Sequence, residues 1–267
     1  MNNPARFTFG NYKQVLIIGA SSGIATLVLP EFDFDEVSTI VTHRFDARPN
    51  LSDRILKLEY VEVDFDEYTR ELVERLLVNF EAEDPLLVIS FMGVFGTVAP
   101  YEEFEIEDVI RTASKNLRFQ LTLQKLSLFL PPGSLILSFS GAGIGGQTFE
   151  DASLGYLAGK AAISILNELA DTKSKNIDVR MALIAPGPFP TRMQSAVSNA
   201  KSGAVSDERR MRARDESDVS ERVINVCKMI EWLSMNPHLA GGRIWSAQHD
   251  ELLAPTKSNF GKIRRIY

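Results

Sequence analysis

The chain has 267 residues, 45% apolar and 24% charged, which is enough apolar material for one large α/β domain or two small ones with a sizeable core. A formal net charge of −6 leaves no basic surplus for nucleic acid or an anionic membrane, so a small-molecule partner is expected. The lone cysteine, Cys227, rules out an intrachain disulfide and fits a reducing, cytoplasmic setting, while no secretion-signal core or run of membrane-spanning length is seen.

In chain order, QVLIIGA (14–20) is a continuous apolar strand pattern, followed at once by a glycine turn and the helical IATLVLPEF. VSTIVTHR (37–44) and LEYVEVD (58–64) are the next two strands, and EYTRELVERLLVNF (67–80) has helical spacing. PLLVISF (85–91) is a fourth strand. Residues 102–129 read as a long helix with a break near 112–115. GSLILSFSG (133–141) is a fifth strand, GYLAGKAAISILNELA (155–170) a helix, and DVRMALIAPG (178–187) a sixth strand. SERVINVCKMIEWLSMN (220–236) is helical and GGRIWSAQ (241–248) is a last strand. Continuous apolar strands alternating with helices predict a parallel sheet covered on both faces, in one domain over 1–267. Residues 194–218 are polar and carry Arg209, Arg210, Arg212 and Arg214; they read as a mobile insert over the C-terminal edge of the sheet.

GASSGIA (Gly19 to Ala25) places small residues between a strand and a helix. Such a turn lets a pyrophosphate approach the backbone N–H groups of Ser21, Ser22, Gly23 and Ile24. A tight turn with no ligand is the alternative, since the spacing is not Gly-x-Gly-x-x-Gly. Arg44, after the second strand, stands where an arginine reads a 2′-phosphate, so NADP is preferred over NAD; a solvated surface arginine is the alternative. Asp64 ends the third strand, where it would bond an adenine amino group or cap a helix.

Tyr156 and Lys160 are one helical turn apart and share a face. A free phenol titrates near pH ~10, too high for proton exchange near neutrality, and an adjacent ammonium lowers that value. A phenol tuned in this way can give a proton to a carbonyl oxygen or remove one from an alcohol. Lys160 otherwise stands isolated in an apolar helix, where an unpaired cation is expensive. A packing tyrosine and a snorkelling lysine are the alternative reading.

With these pieces in order the chain resembles the short-chain dehydrogenase/reductase family over nearly its whole length. The motifs that carry the resemblance are GASSGIA, VDFD, KNLRFQLTLQ, LSFSGAG, YLAGK and APGPFPTRM. The resemblance implies a Rossmann-like, doubly wound, mainly parallel seven-stranded sheet with helices on both faces. It implies Tyr156 as acid/base, Lys160 as its partner and cofactor ligand, and Asn116 as holder of a proton-relay water. It also implies Gly93 at the cofactor and Pro186, Gly187 and Thr191 on its nicotinamide side. Ser140 would orient the substrate carbonyl, with Ser138, one strand period earlier, as the competing choice. Four places depart from the family pattern: Ile18 before the first glycine, Ala25 as its third glycine, SFMG (90–93) after the fourth strand, and a tail reading SAQHDE that brings His249 and Asp250 toward the pocket. The residues between Ser140 and Tyr156, GAGIGGQTFEDASLG, form a long glycine-rich rim.

The expected activity is NADPH-linked interconversion of a ketone or aldehyde and an alcohol. Two readings compete with it. One is a non-catalytic dinucleotide sensor or scaffold, motivated by SFMG; the other is an epimerase or dehydratase acting on a nucleotide-linked sugar. The arginines of the insert would bind phosphate or carboxylate on such a substrate, or form a solvated helix face. The apolar helix over 156–170 points to a helix–helix contact of the kind that builds a homodimer or homotetramer.

Overall fold

A computed structural model describes residues 7–35, 37–43, 58–62, 77–78, 80–141, 153–174, 177–201, 204–214 and 217–248. Arg44, Asp64, the rim over 142–152, His249 and Asp250 lie outside these residues, as does most of the helix expected over 67–80.

The strands are β1 (Gln14–Ile18), β2 (Ser38–His43), β3 (Leu58–Glu62), β4 (Leu86–Ser90), β5 (Leu135–Phe139), β6 (Arg180–Ala185) and β7 (Ile244–Ser246). They form one sheet in the order β3-β2-β1-β4-β5-β6-β7, and every pairing is parallel. All residues of β1, β4 and β5 are buried, because parallel strands are covered on both sides. Alternation divides them between two cores. Val15, Ile17, Leu87, Ile89, Leu135 and Leu137 pack on one face with Val226, Ile230 and Leu233. Leu16, Ile18, Leu86, Val88 and Ile136 pack on the other with Leu123, Leu126 and Ala170.

The helices are α1 (Ala25–Val28), α2 (Ile106–Ser127), α3 (Leu154–Ser174), α4 (Arg192–Ser198), α5 (Asp207–Arg214), α6 (Val219–Met235) and α7 (Pro237–Ala240). Helix α2 is continuous, so the break expected near 112–115 is absent. Thr112 and Asn116 are poor helix formers, yet they sit where α2 crosses α3 at close range. A Cβ on Gly155 would lie 2.8 Å from the Cβ of Thr112, and one on Gly159 2.9 Å from that of Asn116. Packing overrides propensity there. Helix α1 is far shorter than expected and tightens into a 3-10 turn at Leu29–Glu31, because Pro30 has no N–H to continue the ladder. The insert is helical at α4 and α5. Arg210 donates to the carbonyls of Ala200 (3.0 Å) and Lys201 (2.5 Å), and Arg214 to that of Ser198 (3.2 Å). Arg214 therefore caps the last carbonyl of α4, as cations at a helix C-terminus do, and Arg210 holds the chain just beyond it. Among the described residues no helix is long and apolar enough to cross a membrane.

Candidate active site

The strand order reverses between β1 and β4, and in open parallel sheets the crevice for a ligand opens at the C-terminal ends of such strands. The glycine turn begins here. Gly19 adopts φ +75, and its N–H donates to Thr42 Oγ1 at 3.1 Å, while the Ala20 N–H donates to the Thr42 carbonyl at 3.0 Å. The turn is thus tied to β2. Ser22 closes it, accepting from the Ala25 N–H at 3.2 Å through Oγ and donating its own N–H to the Gly19 carbonyl at 2.9 Å. Among the described residues nothing accepts from the N–H groups of Ser21, Gly23 and Ile24, all at least partly exposed. Three free donors in one turn suit a phosphate. Because α1 spans only Ala25–Val28, the turn itself supplies this attraction, with little help from a helix dipole. A Cβ on Gly23 would lie 2.6 Å from Thr191 Cγ2, so glycine is needed for the turn to meet the segment after β6.

Beside the turn, the Phe91 N–H donates to the Ile18 carbonyl at 2.8 Å, which brings SFMG alongside. Met92 Cγ lies 3.0 Å from where a Gly19 Cβ would be, so a thioether side chain covers the strand end. A Cβ on Gly93 would be 3.5 Å from Lys160 Nζ and 3.7 Å from Asn116 Oδ1, which puts the three residues together. Asn116 is fully buried. It donates to the carbonyls of Val94 (2.8 Å) and Thr112 (3.0 Å) and accepts from the Val94 N–H (3.1 Å). Its amide fixes the chain after β4, and one lone pair of Oδ1 stays uncommitted.

Tyr156 and Lys160 rise from the first turns of α3, 8% and 4% exposed. Lys160 Nζ donates to the Phe139 carbonyl at 2.7 Å and stands 5.7 Å from the centre of the Tyr156 ring. Burial pushes the lysine down to about 8, so it remains mostly an ammonium at neutral pH. A Cβ on Gly141 would lie 2.7 Å from the Tyr156 hydroxyl, so the end of β5 must be bare there. Phe95 meets the Tyr156 ring edge-on, 5.1 Å between centres, and sets its tilt.

The two serines differ in their bonding. Ser138 Oγ donates to Gln120 Oε1 at 3.3 Å, which engages it with α2. Ser140 donates its backbone N–H to the Ile184 carbonyl at 2.8 Å, and its buried Oγ has no partner among the described residues. Ser140 therefore holds the uncommitted hydroxyl of the pair. After β6, Pro186 and Gly187 turn the chain, with Gly187 at φ +85, and lead to Thr191 just before α4. The structure brings Tyr156, Lys160, Asn116, Gly93 and Ser140 to one end of the sheet, and Gly23 against Thr191. Sequence reasoning missed Phe95, Met92 and Gln248. SFMG and SAQHDE stand out as departures from the family pattern, but neither signals a role for Met92 or Gln248, and nothing marks Phe95, since their importance comes from what folding places beside them.

No protein-family model matches the sequence, and no curated protein is significantly similar to it. Solved structures do share its architecture. A short-chain dehydrogenase/reductase from Saccharomyces cerevisiae is 18% identical, with 91% of this chain and 98% of that one covered and a TM-score of 0.70. A protein of Burkholderia cenocepacia described as a dehydrogenase and solved with NADP bound is 14% identical, covering 91% and 94%, with a TM-score of 0.69. The carbonyl reductase Sniffer of D. melanogaster is 17% identical, covering 89% and 97%, with a TM-score of 0.67. The chain thus has the fold of the short-chain dehydrogenases/reductases.

Proposed function

We propose that this protein is an NAD(P)-dependent oxidoreductase, NADPH-preferring, that interconverts a ketone or aldehyde and an alcohol. One observation carries the reading: a buried tyrosine, a buried ammonium and a buried serine hydroxyl meet at the open end of β5, the ammonium with no carboxylate and the hydroxyl with no partner among the described residues. The turn at Gly19–Ile24 suits the cofactor's phosphates, Asp64 its adenine, and Gly93, Lys160, Pro186, Gly187 and Thr191 its nicotinamide half. The cofactor supplies the hydride. Ser140 Oγ donates a hydrogen bond to the substrate carbonyl oxygen and fixes its position. The Tyr156 hydroxyl transfers its proton to that oxygen as the carbonyl becomes an alcohol, and takes the proton back in the reverse direction. The Lys160 ammonium stabilises the phenolate left behind. The free lone pair of Asn116 Oδ1 faces the same space and is suited to hold a relay water that returns the proton.

Arg44 is assigned to the 2′-phosphate. Arg44→Ala is expected to weaken NADPH binding about tenfold, roughly 1.4 kcal/mol, while leaving NADH within about twofold. Equal loss for both cofactors, read by fluorescence titration, would overturn the assignment. The main test mixes the protein with NADPH and a panel of carbonyl compounds. Turnover that disappears in Tyr156→Phe supports the reading; tight NADPH binding with no turnover on any compound favours the sensor reading instead. That second reading draws on Met92, whose side chain lies over Gly19. A homo-oligomer contact through α2 and α3 is favoured by exposed apolar residues on both helices, among them Ile106, Ile110, Ile165 and Leu169, each more than half exposed in the single chain.

A further inference from the structure

The tail that departs from the family pattern makes a set of contacts no motif announces. Gln248 follows β7 and reaches across to the exit of β6. Its Nε2 donates to the Pro186 carbonyl at 2.7 Å and, more weakly, to the Arg222 carbonyl at 3.4 Å. Its Oε1 accepts from Asn225 Nδ2 at 3.3 Å. Both ends of the amide are thus engaged, and the partners fix its orientation: carbonyls face the NH2 group and an amide donor faces the oxygen. Gly187 beside it is held at φ +85, and a Cβ there would lie 2.8 Å from Gln248 Cγ. The stem of the glutamine fills the space that a side chain at 187 would need. One residue therefore ties the turn after β6 to α6 and to the end of β7.

That turn leads directly to Thr191, and Thr191 is what Gly23 packs against. The two chain segments proposed to hold the dinucleotide, at its phosphates and at its nicotinamide, meet at this contact. Among the described residues no other hydrogen bond anchors the Pro186 carbonyl. We propose that Gln248 is the positioning residue of the nicotinamide side, setting where Pro186, Gly187 and Thr191 stand and thereby how tightly the cofactor is held. This rests on the dinucleotide reading above. Gln248 touches neither reacting atom; it acts through the Pro186 carbonyl.

The test is NADPH titration of the full chain, wild type against Gln248→Ala and Gln248→Glu, with melting temperature measured in parallel. Gln248→Glu keeps the stem over Gly187 and the acceptor for Asn225 but replaces the donor with a carboxylate facing a carbonyl. The expected result is about a tenfold rise in Kd for NADPH in both variants. In each, the melting curve of the ligand-free protein should stay within a few degrees of wild type, and the midpoint of any pH–rate profile should not move, since Tyr156 and Lys160 are untouched. Variants that fold and bind NADPH as wild type does would overturn the proposal, as would a loss of affinity no larger than the loss of folded protein explains. Asn225→Leu removes only the bond to Gln248 Oε1 and should raise Kd by a smaller factor; no rise there alongside a large one in Gln248→Ala would confine the effect to Pro186. If wild type itself fails to bind NADPH or NADH, the dinucleotide reading fails first, and the two failures are told apart.

Discussion

Helix α3 buries a charge near each end, and the two are treated differently. Near its C-terminus Asp171 takes two bonds from Arg180, Nε at 2.9 Å and Nη2 at 2.8 Å, and a third from the Met181 N–H at 3.2 Å. Gly241 leaves this pair room, since a Cβ there would collide with both partners. Near its N-terminus Lys160 is as buried but, among the described residues, is given only the Phe139 carbonyl and the face of a tyrosine. A charge kept for architecture is neutralised where it stands; a buried cation next to a phenol, held by a neutral carbonyl and with no carboxylate among the described residues, is costly to the fold and marks a candidate functional site. The pair at the far end joins α3 to β6, while the lysine is the one proposed to stabilise the Tyr156 phenolate.

The largest effect expected is on turnover. Tyr156→Phe removes one oxygen and should lower kcat by about 10²–10⁴-fold with NADPH affinity nearly unchanged; activity within a few-fold of wild type would end the acid/base assignment. Next, Asp171→Ala should leave activity per folded molecule intact but destabilise the protein by on the order of 3 kcal/mol, since Arg180 loses its counter-charge. Thermal unfolding checks this, and a melting temperature equal to wild type would show the pair to be ornamental. Lys160→Met should do the reverse, losing most activity and little or no stability at neutral pH.

The smallest effect sharpens the contrast through pH. The folded pKa of Lys160, about 8, lies below the ordinary 10.5, so between these values the unfolded chain binds more protons than the native one. Stability of the wild type relative to Lys160→Met should therefore rise as pH climbs from about 8 toward 10.5 and be flat below that window. A difference that falls across the window, measured by denaturant unfolding, would mean that the lysine finds a compensating partner in the native state.

Much of this was legible beforehand, for physical reasons. Buried parallel strands must be continuous apolar runs, so β1, β4, β5 and β6 announced themselves. A turn separates Tyr156 from Lys160, so helical geometry alone put them on one face. The choice between Ser138 and Ser140 was not legible, because alternation sends both to the same side; only Gln120, arriving from α2, engages one and leaves the other uncommitted. The arginines of the insert read either as an anion site or as a solvated helix face, because sequence shows charge without its partners; folding turns Arg210 and Arg214 onto the carbonyls of Ser198, Ala200 and Lys201 at and just beyond the end of α4.

By itself, then, the sequence determined the buried strands, the parallel sheet and the paired tyrosine and lysine, all of which follow from local periodicity and short-range spacing. The tertiary structure alone decided how α2 crosses α3 without breaking, which serine hydroxyl stays uncommitted, how Gly23 meets Thr191, and how Gln248 reaches Pro186. Each of these joins residues far apart in the chain. Close approach and hydrogen-bond partnership depend on distances that only packing sets.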